Sequence, residues 1–577
     1  MLEEQINKHF LLPIDFISNT YETPENLYDD LELIETKDNS NNSLYETLFT
    51  PSTPFGHLTM AKTTKKYTTN IAFLKNTQKL LKKNEKIKPD DSKTIFNAWN
   101  SYKEIKEDKN FLDNYQYINF DILQFLNKSI VFLTIISIYS ILSPLLNLLA
   151  PLLLLIVPFI LMRIRGLQIT ISNYWKLLVI SLQNHSFGKL LTDWNTLPTS
   201  QKVYMIVMLG MYIYNIYQNA LSCYQFYKNT GNINRHIKNI KHFLLQTRNK
   251  ISHFMEKIEP LKQYKEYYKY LQEKLEDING IYMDLTKVPV ASFHPSKITK
   301  IGYTMQQFYL LYESEKIKQT MLFSFGFWGF LDNIGEISEK INNNFVNKTK
   351  FLKKKNTILN FKKARYPILQ QQNKTDKNIP NDISLEKNKI ITGPNASGKT
   401  SILKTTITNL LISQQIGYGF YESAKITPFN HIHCYLNIPD TSSRDSLFQA
   451  EARRCLHILN IIKENPNEKH FCIFDELFSG TNPYEAVSSA NAYLENISNN
   501  PNVKFMLTTH FIDLCKKINT KTIENINMKT NISNNKPEYF YKIQKGISEI
   551  KGGITVLRDL GYPDELINKT ENILEKM

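Results

Sequence analysis

The stretch ITGPNASGKTS, residues 391 to 401, constrains the fold of this chain more than any other part of it. Gly393, Gly398, Lys399 and Thr400 fit the spacing G-x-x-x-x-G-K-[ST]. Glycines at such positions let backbone N–H groups curl round phosphate oxygens at the N-terminus of a helix. The arrangement works only where a strand feeds a helix. Here NKIIT reads as the strand and SILKTTITNLLISQQ as the helix. The stretch therefore predicts an α/β domain with a parallel sheet. Within it, Gly393, Pro394, Asn395, Ala396, Ser397, Gly398 and Ser401 form the cradle. Lys399 is placed to reach the β- and γ-phosphates, and Thr400 to put its hydroxyl on magnesium. The implied ligands are ATP and Mg2+.

Two more apolar strands end in polar groups suited to the same chemistry. FCIFDE, residues 471 to 476, ends in Asp475 and Glu476. Beside a phosphate cradle, Asp475 is suited to hold magnesium through water, and Glu476 to polarise an attacking water as general base. The plain alternative is a strand that ends in acids at a surface turn. MLTTH, residues 506 to 510, ends in His510, which is either structural or a sensor of the γ-phosphate.

The C-terminal third cannot account for the rest. A chain of 577 residues exceeds a single core. The net charge is +16, and residues 1–50 hold eleven acids against Lys8 and Lys37. The remainder therefore carries a basic excess that suits a polyanion, either nucleic acid or an anionic membrane face. Residues 1–42 read as an acidic, loosely ordered segment and 43–128 as amphipathic helices. Ser129 to Met162 is an uncharged run of 34 residues, interrupted by Pro144, Pro151 and Pro158. Lys128, Arg163 and Arg165 flank it. Such a run reads as membrane-inserting, the plain alternative being a buried helix pair of a soluble core. The prolines predict a hairpin that turns at NLLA, between Pro144 and Pro151. A competing arrangement pairs this run with Val203–Tyr227 as two full spans, which would put the basic residues 163–202 outside. Val203 to Tyr227 is a second uncharged run, with Asn215, Gln218, Asn219 and Gln225 inside it; it fits a span or a core helix equally. Residues 129–227 are thus the expected membrane region, 228–356 a long-helix lever region and 357–577 the α/β domain. Five widely separated cysteines give neither zinc spacing nor a disulfide framework, which points to a reducing, intracellular compartment. With no export signal at the N-terminus, the α/β domain is expected to face the cytoplasm.

The motifs together resemble the ABC-type ATPases, and more closely the MutS family. Ala364-Arg365-Tyr366-Pro367 with Pro380-Asn381-Asp382-Ile383 is similar to the lead-in of the MutS ATPase domain. The phosphate loop follows, then Gln415-Ile416-Gly417 at the place of the Q-loop. Asp440, Ser446-Leu447-Phe448 and Glu451 are similar to the signature helix. Asp475-Glu476-Leu477 with Ser479-Gly480-Thr481-Asn482, then Thr509-His510-Phe511 and residues 541–567, complete the series. The resemblance covers about residues 357 to 572. It implies ATP hydrolysis, with Gln415 near the nucleotide. It also implies a homodimer in which Ser446 of one subunit completes the site of the other, and DNA as partner in mismatch repair or genome maintenance.

The departures from the family are specific. The F-x-E at Phe254-Met255-Glu256 lies in a helical stretch, so a mismatch wedge is not expected. Glu485-Ala486 stands where the family commonly has Asp-Gly, and the family's helix-turn-helix extension is not expected after the ATPase-like segment. The apolar run resembles that of the membrane-segment-containing or viral MutS-related branch. Two functions stay open: a DNA-binding MutS-like ATPase, or a membrane-tethered MutS-type ATPase acting on a protein or membrane partner.

Overall fold

The computed structural model describes residues 2–36, 42–167, 169–184, 198–289, 300–354, 357–368, 378–436, 446–518, 520–533 and 536–550. From 554 to 576 it describes all but 555, 556 and 559. The chain divides into two compact units. One holds residues 1–89, 250–274 and 322–577, the other 90–249 and 275–321.

In the first unit, residues 2–36 of the acidic N-terminal segment are packed rather than loose. Helices Leu2–His9 and Glu25–Asp30, with the residue after each, sink Ile6, Phe10, Leu27 and Leu31 completely, while Glu4 and Glu25 stay outside. The high acid content hid an apolar face at helical spacing. A buried polar lock helps hold this region. Asp332, 1 % exposed, accepts hydrogen bonds from Ser52 N (3.0 Å), Ser52 Oγ (2.8 Å), Thr53 N (2.8 Å) and Thr53 Oγ1 (2.8 Å). Thr53 in turn caps helix Pro54–Thr63, its Oγ1 accepting from Gly56 N. Asp332→Ala strands these donors in the interior. It is expected to cost about 3 kcal/mol and to lower the thermal midpoint of the protein by several degrees, read by calorimetry. Phe254, of the F-x-E triplet, stands edge-on to Tyr267, Phe327 and Phe330 in the core.

In the second unit, the uncharged run forms one helix, α1, Ile130–Ile164. The turn expected between Pro144 and Pro151 is absent. Each proline forfeits one backbone hydrogen bond, but the seven-residue spacing leaves two full turns between losses, and the helix continues through them. Val203 to Tyr227 lies within α2, Thr199–Ile258, a helix of 60 residues that contributes to both units.

The C-terminal α/β region contains two sheets. Strands β1 (Asn347–Phe351), β2 (Leu359–Ala364), β3 (Asn381–Ser384), β4 (Asn388–Thr392), β5 (Tyr418–Gly419), β6 (Ser423–Ile426), β7 (His431–Tyr435), β8 (His470–Asp475), β9 (Val503–Thr508), β10 (Ile523–Ser533) and β11 (Lys536–Lys545) compose them. The larger sheet runs β11-β10-β4-β9-β8-β7, and the smaller β3-β2-β6-β1-β5. Strands β10, β4, β9, β8 and β7 are parallel. Central strands of a parallel sheet are covered on both faces, and Ile390, Ile391, Phe471, Ile473, Phe505 and Leu507 are accordingly at most 1 % exposed. Helix α3, Lys399–Ile416, follows β4 and packs against β8, β9, β2 and helix Ile71–Leu81. It is buried nearly all round, and several of its interior polar groups are paired, though the buried Thr408 hydroxyl is not. Gln414, for example, exchanges two 2.8 Å hydrogen bonds with the backbone of Phe429.

Candidate active site

Strand register assembles the site. Ile391 of β4 lies opposite Thr508 of β9, and Thr508 lies opposite Asp475 of β8. The segments that leave these three strands carry Gly393–Gly398, Glu476 and Thr509–His510, so all of them reach the C-terminal edge of the sheet, where open α/β folds place ligands.

Each end is shaped for the task. Gly393 and Gly398 adopt φ of +150° and +95°, conformations open to glycine. A Cβ on Gly393 would stand 2.9 Å from Ser397 Oγ. The Ser397 hydroxyl is buried and has no hydrogen-bond partner, a polar atom in the cradle free to meet an anion. Lys399 is 7 % exposed, and its Nζ donates to the carbonyls of Gly393 (3.0 Å) and Pro394 (3.2 Å). Burial lowers its pKa from the usual lysine value. Thr400 Oγ1 donates to Asp475 Oδ2 at 2.9 Å, and Thr508 Oγ1 donates to the same carboxylate. Burial raises the pKa of Asp475, against the pull of those two hydroxyls. A divalent cation would offset that burial, and a hydroxyl with a carboxylate suits magnesium. The donor set therefore fits Mg2+ and a phosphate chain.

Glu476 sits at φ +55°, a left-handed conformation uncommon for a glutamate. The turn aims its side chain out of the strand toward His510, whose Nε2 lies 3.2 Å from Glu476 Oε1. That contact, the largest influence on it, lowers the Glu476 pKa. The carboxylate is thus ionised at neutral pH, as a water-polarising base must be. The same Nε2 lies 3.0 Å from Lys399 Nζ. His510 can donate to the carboxylate when that nitrogen is protonated, or accept from the ammonium when it is not. It therefore links Glu476 to Lys399.

A cavity of about 350 Å³ opens beside these groups, lined by Asn395 through Ile402, Glu476 and a rim that includes Tyr366, Ile379, Met528 and Tyr541. Its volume is in the range of small-molecule sites. Tyr541 and Met528 approach the loop itself, with Tyr541 Cδ1 3.3 Å from where a Gly398 Cβ would be. Neither has a role legible in the sequence, because no residue pattern ties Met528 or Tyr541 to a loop more than a hundred positions earlier.

Two expected residues lie elsewhere. Gln415, expected at the nucleotide, is held at the other end of α3. It accepts from Tyr45 Oη and donates to Thr64 O at 3.2 Å, and it does not line the cavity. Ser446 also stands outside that cavity, exposed at the start of α4, Leu447–Glu464. Its Oγ accepts from Gln449 N at 3.3 Å. Asp440 lies outside the described residues. Glu451, quoted only as part of the signature helix, is 2 % exposed and has a definite task. Its carboxylate accepts from Ser479 N and Oγ (both 3.0 Å) and from Gly480 N (3.1 Å). It thereby ties α4 to the loop after Glu476. The signal was a glutamate five residues after Ser446, on the inward side of a helix.

The fold and the site define a P-loop nucleotide-binding domain. Residues 389–577 match the family model of MutS domain V, and through that segment the chain is similar to the MutS family. It is 30 % identical over 229 residues to the DNA mismatch repair protein MutS of Phocaeicola vulgatus, covering 38 % of this chain and 26 % of that protein. With the MutS of Fusobacterium nucleatum the identity is 31 % over 227 residues, 38 % and 25 % of the two chains. With the Endonuclease MutS2 of Streptococcus uberis it is 30 % over 250 residues, 43 % and 31 %. The matched region spans about a quarter to a third of these relatives.

Proposed function

We propose that this chain binds and hydrolyses ATP with Mg2+ as a MutS-type ATPase, works as a homodimer and acts on DNA in mismatch repair or genome maintenance. The observation that carries the reading is the convergence of Lys399, Thr400, Asp475, Glu476 and His510 at one sheet edge, where Thr400 bonds Asp475 and His510 reaches both Lys399 and Glu476. In this reading the loop N–H groups and Lys399 bind the phosphates, Thr400 and Asp475 hold the cation, and Glu476 takes the proton of the attacking water. Ser446 serves the partner subunit's nucleotide, which agrees with its exposure at a helix start away from its own cavity. The basic excess beyond residue 50 supports a polyanionic partner, and relatives in the comparison are named for DNA mismatch repair.

The test is ATP turnover by the detergent-solubilised protein without DNA and with homoduplex, mismatched or branched DNA. Turnover that rises with DNA is expected. A rate that no DNA alters removes DNA from the reading and leaves the second one, a cytoplasm-facing, membrane-tethered MutS-type ATPase acting on a protein or membrane partner. The exposed apolar surface of α1 and α2 favours that alternative.

A further inference from the structure

The polarity of α1 is the reverse of that of a water-facing helix. In α1 the buried and half-buried stripe carries Ser137, Ser140, Ser143 and Asn147, at helical spacing. The exposed positions carry large apolar groups, among them Ile135 (61 % exposed), Tyr139, Leu142 and Leu145. In water a helix buries its apolar face and exposes its polar one. Small polar residues at helix contacts with aliphatic residues outside are the pattern of helices in lipid. Helix α2 shows the same apolar exterior from Val203 to Tyr214, with Val203, Ile206, Val207, Met211 and Ile213 all exposed, while Asn215 and Gln218 are exposed beyond it.

The two helices meet antiparallel. Tyr212 Oη donates to Asn147 O at 2.8 Å, and Cys223 Sγ to Ile141 O at 3.7 Å, so position rises along α1 as it falls along α2. At the Cys223 end, Gln116 joins Ser140 (3.2 Å) and Ser222 (3.4 Å). Lys128 and Lys228 mark this end of the pair; Arg163, Arg165 and Lys202 mark the other. Between those charges lie uncharged lengths of about 51 Å in α1 and about 38 Å in α2 at ~1.5 Å per residue. Both exceed the ~30 Å hydrocarbon core of a bilayer. By length and composition, Ile130–Leu149 is suited to cross a membrane, with 17 % of its most apolar window buried. Just before it, Phe120, Ile122 and Phe125 are also exposed.

We infer that α1 and the first half of α2 form a two-helix hairpin seated in a lipid bilayer, with Lys128 and Lys228 at the face from which it enters and returns. Tyr212 on Asn147 and Cys223 on Ile141 hold the seam between the helices, and the aliphatic exteriors face lipid. The basic far end meets the phosphate headgroups of the other leaflet. This arrangement holds under either reading of the ATPase.

The test adds the full chain to preformed sealed vesicles of phosphatidylcholine with phosphatidylglycerol, followed by flotation and alkaline carbonate extraction. The wild type is expected to float and to resist extraction. I135K/L142K places two lysines on the exposed face, where water would tolerate them and hydrocarbon would not. It is expected to lose at least tenfold in vesicle retention, with ATP binding in detergent unchanged. Wild type that stays in the supernatant, or a double variant that floats like wild type, overturns the bilayer assignment. In a C223S background, cysteines at positions 128 and 228 are expected to react together with a membrane-impermeant thiol reagent added outside the vesicles. Reaction at only one of them overturns the hairpin.

Discussion

Glu476→Gln is expected to lower ATP turnover by about 10²–10⁴-fold, the range for removing a general base, while ATP binding persists. The substitution keeps the size and the left-handed backbone of the residue and leaves Thr400 and Asp475, the cation-suited pair, untouched. It removes the negative charge that faces His510 and Lys399. Binding without hydrolysis should leave ATP trapped, visible as a slow-exchanging, nucleotide-dependent dimer in size-exclusion chromatography. Turnover at the wild-type rate would take the role of base away from Glu476.

The second large effect comes from mixing two inactive proteins. Lys399→Ala removes the phosphate-reaching ammonium, and Ser446→Arg puts a bulky cation at the exposed start of α4. Each alone is expected to be inactive. If Ser446 acts across the dimer, a mixed dimer contains one composite site with a native Lys399 and a native Ser446, and the other site carries both defects. Activity should therefore return with mixing and reach its maximum near equal amounts. Heterodimers shown to form, yet without activity at any ratio, would put Ser446 outside the reaction.

What the sequence disclosed follows from how local each requirement is. The phosphate loop was legible because a turn of this kind demands glycine at 393 and 398 and a fixed offset to Lys399 and Thr400. Asp475, Glu476 and His510 were legible because apolar strands that end in polar groups expose them at one sheet edge. Gln415 was not placed by its motif. It lies 16 residues beyond Lys399, about 24 Å along a helix at ~1.5 Å per residue, and there it braces Tyr45 and Thr64. Contacts of that kind join segments more than 350 positions apart and leave no local pattern. Tyr541 and Met528 were hidden for the same reason. The single helix α1 departs from the hairpin its prolines predict because two unbroken turns separate each proline from the next. The N-terminal helices form despite their acid content because Ile6, Phe10, Leu27 and Leu31 recur at a spacing that lets them be buried.

The central claim is that the loop before α3 is an ATP site, and equilibrium binding tests it most directly. Titration of the whole protein with a fluorescent ATP analogue, with and without magnesium, is expected to give saturable binding that magnesium strengthens. Lys399→Ala, which loses a charged phosphate contact worth about 1.5–3 kcal/mol, should weaken that binding by about 10- to 100-fold. Binding that is absent in the wild type, or unchanged in Lys399→Ala, would contradict the account.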